Sequence, residues 1–385
     1  MRLSNVISSW LVSGVLVGSL TTGVAVAEII DKDDRLPVTS TLQMPYRAMG
    51  IIQTESATCT ATLIGPRHIL TAAHCLFDVT QERQWKQRPY FVPAVNGVHQ
   101  LPYDPALIIK AYVDRRYVAK AQQLGTHSSS RGGVVHEEAI AAFITEELGR
   151  DIAVAELDQD MGNRVGWLPL GLMPDDEENP YFRLAGYPID KPWQTLWMSS
   201  CHAKPREDGL LEHNCDTTPG MSGSSAFMAG IGNQFRAVGV FAAGTTSYNL
   251  LTPLDEPLME RLANWRDGTP DTETLVHNFN HPNLHQVRLI NQCQFPVSVT
   301  LHYQNSKGSW VTTKGASVAA GSELALAETR ADHFFFFARS QSEPRFQWNG
   351  NDLLLPLGQE GRWQSLRRVD IHSARFAPFY YHIRC

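Results

Sequence analysis

The sequence predicts an all-β chain, with antiparallel barrel strands over residues 46–268 and a small β-sandwich over 284–385. Three observations carry this. The chain has 385 residues, which is long for one typical domain and suggests two or three. From Ala48 to Ala242 short apolar runs alternate with turn residues, as strands of a sheet or barrel do. After Leu284 the composition changes, and Phe295, Val297, Val299, Leu301 and Tyr303 alternate with polar residues, the period of a half-buried strand.

The elements follow in order. Residues 1–27 read as a secretory signal: Arg2 supplies the positive charge, Val6 to Leu20 the apolar stretch, and Ala25-Val26-Ala27 the small-x-small cleavage pattern. No stable membrane insertion is expected once it is removed, because no later segment reaches the apolar length of a span. Residues 28–45 are polar and form either a propeptide or an arm wrapping the surface. Strands are predicted at Ala48–Ile52, Thr60–Ile64, Ile69–Ala72, Tyr90–Val92 and Leu107–Tyr112, and then a helix over Glu137–Leu148. Ile152–Ala155, Phe182–Ala185 and Phe235–Ala242 read as later strands, and Glu256–Trp265 as an amphipathic helix. Asp267-Gly268-Thr269-Pro270-Asp271 breaks the pattern, so 269–283 is expected to be a linker. His277, His281 and His285 lie in and beside it at intervals of four; Pro282 argues against a helix that would align them on a metal. In the run Phe334-Phe335-Phe336-Phe337, alternate residues face opposite ways, which favours core and inter-domain packing over a ligand platform.

Six cysteines in an exported chain predict disulfides, and the absence of any C-x-x-C pair disfavours zinc. Grouping by domain pairs Cys59 with Cys75, Cys201 with Cys215, and Cys293 with Cys385, one of fifteen possible connectivities. A formal charge of −6 carries no polybasic footprint, so no nucleic-acid partner is expected. The acidic run Asp175-Asp176-Glu177-Glu178 lacks oxygen ligands at calcium-site offsets and reads as a solvated loop.

Three segments carry chemistry. Thr71-Ala72-Ala73-His74-Cys75 places a general base at the end of an apolar strand. Gly149-Arg150-Asp151-Ile152-Ala153 places a lone carboxylate before another. Pro219-Gly220-Met221-Ser222-Gly223-Ser224-Ser225 sets a serine between glycines, where the backbone turns sharply and its N–H groups can face a substrate. The order His, Asp, Ser matters, because unrelated folds place the same groups in different orders.

Over about residues 36–266 these segments, with Cys59-Thr60-Ala61-Thr62-Leu63-Ile64-Gly65-Pro66 and Cys215-Asp216-Thr217, resemble the bacterial trypsin-like serine proteases of the glutamyl endopeptidase-like branch. The resemblance implies a chymotrypsin-like double six-stranded β-barrel closed by a helix, and a secreted or periplasmic endopeptidase acting on protein or peptide substrates without a cofactor or metal. It implies His74 as base, Asp151 as its orienting carboxylate, Ser222 as nucleophile, and the N–H groups of Gly220 and Ser222 as the oxyanion hole. Asp216, six residues before Ser222, stands where trypsin-like enzymes carry a pocket-floor carboxylate for Lys or Arg; it is equally suited to capping a turn with Thr217 and Thr218. Phe241 stands where the glutamyl enzymes carry a histidine, which disfavours acidic specificity; Thr217, Phe241 and Gly244 are the other expected substrate contacts. His202 and His213 flank the second cysteine pair and are candidates to line the cleft.

The position before the nucleophile is Met221, where many family members carry an aspartate that pairs with a newly freed N-terminal amine. That ion pair is therefore impossible, and the arm is expected to act only sterically, with any start between Glu28 and Leu36 equivalent. The C-terminal region is expected to bind an unknown partner and to be dispensable for cleaving short peptides. The competing reading, a binding or adhesion protein led by that region with an inactive or incidental protease-fold domain, is disfavoured by the complete set of three groups.

Overall fold

The computed structural model describes residues 29–80, 83–126, 137–174, 178–230, 234–244, 247–342, 345–357, 363–372 and 377–385. The expected leader 1–27 and residues 175–177 of the acidic run lie outside the described residues. The chain opens with a short strand β1 (Leu36–Pro37), then β2 (Met49–Gln53), β3 (Thr58–Leu63), β4 (His68–Thr71), β5 (Tyr90–Pro93) and β6 (Ala106–Asp114). Helices α1 (Arg115–Thr126) and α2 (Glu137–Glu147) lead to β7 (Ala153–Leu157) and a short α3 (Met161–Val165). Then follow β8 (Tyr181–Gly186), β9 (Trp197–Pro205), β10 (Leu211–His213), β11 (Ser225–Ala229), β12 (Phe235–Gly244), β13 (Asn249–Pro253), α4 (Glu256–Arg266) and β14 (Thr274–Asn278).

Strands β6-β5-β2-β3-β4-β7 close into a six-stranded barrel through the β6–β7 pairing. Strands β9-β10-β13-β12-β11-β8 close likewise through β8–β9, giving the chymotrypsin-like double barrel. Each strand of the first barrel is rich in side chains excluded from water: Ile51, Ile52, Ala61, Leu63, Ile69, Leu70, Phe91 and Val154 are all buried. Burying such side chains, at about 1.5–3 kcal/mol each, is what drives closure. The second barrel has its own core of Phe182, Leu184, Val238, Phe241 and Leu251 around the Cys201–Cys215 disulfide.

Each barrel also carries a seventh strand from outside the expected domain. β1 pairs with β9, Leu36 opposite Met198, so the N-terminal arm is laid on the second barrel. β14 pairs with β6 over Thr274–Asn278. The stretch expected to be a linker is thus partly a strand of the first barrel. The buried Trp265 indole donates to Thr274 Oγ1 at 2.7 Å, and His277 stacks on Trp85 with ring centroids 4.1 Å apart. His281 instead meets the Ile108 carbonyl at 2.7 Å, and His285 is buried at the start of the next strand, so the three spaced histidines are held apart from one another.

Helix α1 is absent from the sequence reading, although its signals are present. Asp114 accepts hydrogen bonds from the N–H groups of Arg116 and Tyr117, and the apolar Tyr117, Val118, Ala121 and Leu124 share one face.

Beyond β14 lie β15 (His285–Asn291), β16 (Val297–Gln304), β17 (Trp310–Val318), β18 (Glu323–Thr329), β19 (His333–Ser340), β20 (Gln347–Trp348), β21 (Leu353–Pro356), β22 (Trp363–Asp370) and β23 (Phe379–Ile383). They form a three-stranded sheet, β18-β15-β23, and a larger one, β17-β16-β19-β22-β21 with β20 on β19. Val287, Leu289, Val297, Val299, Leu301, Phe334 and Phe336 fill the core. Phe335 points away from that core and clusters with His302, Trp310 and His333. Cys293–Cys385 ties the start of this unit to its end. It leans on the first barrel through the Arg88–Glu328 ion pair and the facing hydroxyls of Tyr90 and Tyr380, 3.4 Å apart. Among the described residues no helix is long and apolar enough to cross a membrane.

Candidate active site

His74 and Asp151 arrive from neighbouring strands. β4 pairs with β7, Thr71 opposite Ala153, so the turn after β4 and the turn before β7 emerge at the same end of the barrel. His74 sits on the one-turn helix Ala73–Cys75, and the Cys59–Cys75 disulfide ties that turn to β3. The Asp151 carboxylate holds the histidine at two points: one oxygen lies 2.7 Å from the ring Nδ1, and the other accepts the His74 backbone N–H at 2.9 Å. Asp151 is buried, whereas the His74 side chain keeps 23% of its surface. One carboxylate thus fixes both the ring and the backbone that carries it, and Nε2 is left for other work. Tyr117 is buried against Asp151; burial first, then the carboxylate's charge, pushes its phenol well above the ordinary range. The Tyr117 hydroxyl therefore stays protonated beside the acid.

The serine loop reaches the same end from the second barrel. Gly220 and Gly223 adopt φ of 96° and 81°, a region glycine enters freely. The space they occupy also excludes a side chain. A Cβ on Gly223 would lie 2.1 Å from Thr71 Oγ1 and 2.4 Å from the Thr60 carbonyl, and one on Gly220 would lie 2.3 Å from the Tyr187 carbonyl. The Ser222 carbonyl accepts from the Thr60 N–H at 2.9 Å and lies 3.6 Å from Cys75 Sγ, one residue from His74. On the other side Gly223 N–H donates to the Phe241 carbonyl, and Phe241 N–H donates to the Ser224 carbonyl. The loop is therefore clamped between β3 of one barrel and β12 of the other. Among the described residues the backbone N–H groups of Gly220 and Ser222 donate to no backbone carbonyl.

The expected specificity residues are placed differently from an open pocket. Asp216 is buried, and both carboxylate oxygens are occupied by the arm: Oδ1 accepts from Ile30 N–H at 2.7 Å and Oδ2 from Asp34 N–H at 2.8 Å. Phe241 lies wholly in the core of the second barrel, so its contribution to the site is its backbone. Thr217 is buried with its hydroxyl unpaired, and Gly244 ends β12 opposite Asn249. His213 is buried edge-on between Phe182 and Phe241, and burial pulls its imidazole down to about 3. It is a neutral core residue, while the exposed His202 is bound to the Asn179 carbonyl at 3.0 Å.

The arm is more than a steric cover. The Arg35 side chain is wholly buried. Its guanidinium meets Asp33 at 2.9 Å, Asp190 at 2.5 Å and 3.1 Å, Thr218 Oγ1 at 2.8 Å and Met221 Sδ at 3.9 Å. Burial works against its charge, but the bonds to Asp33 and Asp190 more than offset this and hold its pKa above the ordinary value. The same guanidinium, with Lys191, holds the Asp33 carboxyl far below the carboxylate range. Sequence reasoning passed over Arg35, Asp190 and Tyr117. A lone arginine behind three aspartates reads as a solvated arm, and nothing local announces a partner 155 residues away.

Among the described residues, the groups with metal-ligand proximity are Cys59, His74, Cys75 and Cys201, His213, Cys215; in both, the sulfurs are committed to disulfides.

Comparison with known proteins bears on the fold that carries these residues. Residues 37–198 match the family model described as Trypsin. The chain is 26% identical over 253 residues to the protein named Glutamyl endopeptidase of Bacillus licheniformis, covering 63% of this chain and 71% of that protein. It is 25% identical over 248 residues to the protein named Extracellular metalloprotease of Bacillus subtilis, covering 62% and 70%. Among solved structures, a Glu endopeptidase in complex with MPD superposes with a TM-score of 0.50 at 25% identity, covering 62% of this chain and 99% of that one.

Proposed function

We propose that this chain, a trypsin-like serine endopeptidase of the glutamyl endopeptidase branch, cleaves protein substrates outside the cytoplasm with Ser222 as nucleophile, His74 as general base and Asp151 as its orienting partner. The observation that carries this is the two-point hold of Asp151 on His74, with the Ser222 carbonyl docked against Thr60 beside the adjacent Cys75. Serine is a weak nucleophile until a base takes its proton during attack. With Nδ1–H donated to Asp151, the lone pair of the imidazole lies on Nε2, which accepts the Ser222 proton as Oγ adds to the scissile carbonyl. The imidazolium then protonates the leaving amine, and a water deacylates the ester by the reverse use of the same base. The N–H groups of Gly220 and Ser222 receive the oxyanion, where losing one donor costs about 2.7–4 kcal/mol of barrier.

The three disulfides and the leader pattern support an exported protein. Specificity for Lys or Arg through Asp216 is not supported, because the arm amides already occupy both its oxygens. A primary role in adhesion, with proteolysis lost, is not favoured. A serine-directed fluorophosphonate tests the reading: it should label Ser222, and Ser222→Ala should abolish both labelling and cleavage of casein with the fold intact. Labelling that persists at the wild-type rate in that variant removes Ser222 from the mechanism.

A further inference from the structure

We infer that Arg35, from the N-terminal arm, is the positioning residue that holds the oxyanion loop of this enzyme in its competent shape, through its forked contact with Asp190 and Thr218. The inference rests on the catalytic reading of Ser222 given above. The loop Thr218–Ser222 must turn at Gly220 so that two backbone N–H groups point at one spot. Four hydrogen bonds fix that turn from beneath. The Thr218 hydroxyl donates to Asp190 at 2.5 Å and accepts from the Arg35 guanidinium at 2.8 Å. The Met221 N–H closes on the Thr218 carbonyl at 3.1 Å, and the Ile189 N–H on the Pro219 carbonyl at 2.9 Å. The Met221 side chain, fully buried, rests on the same guanidinium. Arg35 therefore touches both ends of the turn, Thr218 and Met221, and joins them to the Asp190 segment.

The arm that brings Arg35 is itself anchored, by Ile30 and Asp34 to the Asp216 carboxylate and by Leu36–Pro37 in the sheet. Met221 cannot pair with a freed N-terminal amine, and the cation that meets this loop is an internal side chain. A planar fork suits the task, because it can grip a carboxylate with two bonds while a third N–H reaches a neighbouring hydroxyl; an ammonium cannot span those positions in one plane.

The test uses the full chain and a fluorogenic peptide taken from a casein site that the wild-type protein cuts. Arg35→Ala is expected to lower kcat by about 10²-fold, the lower end for loss of an oxyanion donor, with KM changed less than threefold. Fluorophosphonate labelling of Ser222 should slow in parallel. Millimolar guanidinium, far below denaturing concentrations, should restore part of kcat, which it would not do for a general loss of stability. Arg35→Lys should be intermediate and insensitive to guanidinium. Because Arg35→Ala empties a buried site and could unfold the arm, Asp190→Asn supplies a second reading from a partly exposed residue; it should lower kcat about tenfold at unchanged KM. A folded Arg35→Ala with kcat within threefold of wild type overturns the inference. So does an unfolded Arg35→Ala alongside a folded, fully active Asp190→Asn. If instead the wild-type protein itself is not labelled at Ser222, the catalytic reading fails, whatever Arg35 does.

Discussion

Gly223→Ala tests whether the two barrels meet closely enough at the serine loop to set the nucleophile. The added Cβ would lie 2.1 Å from Thr71 Oγ1, 2.4 Å from the Thr60 carbonyl and 3.0 Å from the Ala72 nitrogen, at a φ of +81°. Thr71 cannot swing aside freely, since its hydroxyl donates to the Thr60 carbonyl at 2.8 Å in a buried setting. Left-handed backbone costs about 1–2 kcal/mol for a residue with a Cβ, and overpacking a tight contact about 1–3 kcal/mol more. A total near 3 kcal/mol corresponds to a fall in Tm of about 6–12 °C for a domain of this size. Relief of the clash must move the loop off β3 and carry Ser222 with it, and a misplacement on the order of 1 Å costs roughly 10²-fold in rate. Gly209→Ala is the matched control: its φ is also +81°, but nothing lies within 4 Å of the added Cβ, so it should show the backbone cost alone and full activity. Differential scanning calorimetry with peptide hydrolysis measured well below Tm reads both quantities. A Gly223→Ala protein whose Tm falls no further than that of Gly209→Ala, with kcat within twofold of wild type, would refute the close-approach argument.

Asp151→Asn should keep the fold yet lower kcat on the order of 10⁴-fold, because an amide favours the wrong tautomer of His74; a loss under tenfold in the peptide assay speaks against Asp151 as the orienting group. His213 has a folded pKa depressed from 6.5 to about 3, so the unfolded chain binds its proton first as pH falls. Its neutral burial is fully tolerated above about pH 6.5 and costs roughly 1.4 kcal/mol per unit below it, down to about pH 3. His213→Phe should therefore shift acid unfolding to lower pH, and identical midpoints would contradict this origin. Ending the chain at Gly268 removes β14 from the first barrel and should cost stability and activity together, whereas ending it at Asn283 should preserve hydrolysis of short peptides. The longer truncation product still loses Arg288, Glu323 and Leu324, which with Thr58, Ile189 and Trp193 line a 320 Å³ cleft beside the serine loop. Its cleavage of substrates extending several residues past the scissile bond should fall relative to short ones; an unchanged ratio would show that the cleft takes no part.

Features that depend on local pattern were legible in the chain alone. Strand positions such as Met49–Gln53 and Thr58–Leu63 could be read to within two residues, because buried strands must be apolar and turns need their own residues. The same reading supplied His74, Asp151 and the glycine-flanked Ser222, since each stands in a short segment with its own signature, and it grouped the six cysteines into the pairs the structure contains. Features that depend on distant partners emerged only with the folded chain. Asp216 looked like a pocket floor until the arm folded back and placed two amides on its carboxylate. Thr274–Asn278 looked like linker because Pro270 and the charged residues around it mark a break, while its pairing with β6 is written nowhere in its own residues. Arg35 belongs to the same class: an arginine among aspartates is ordinary as sequence, and only the closing of the second barrel surrounds it with Asp190, Thr218 and Met221. Periodicity reports which face of an element is buried; it carries no information about which charge will lie across the gap, and in this protein that charge supports the serine loop.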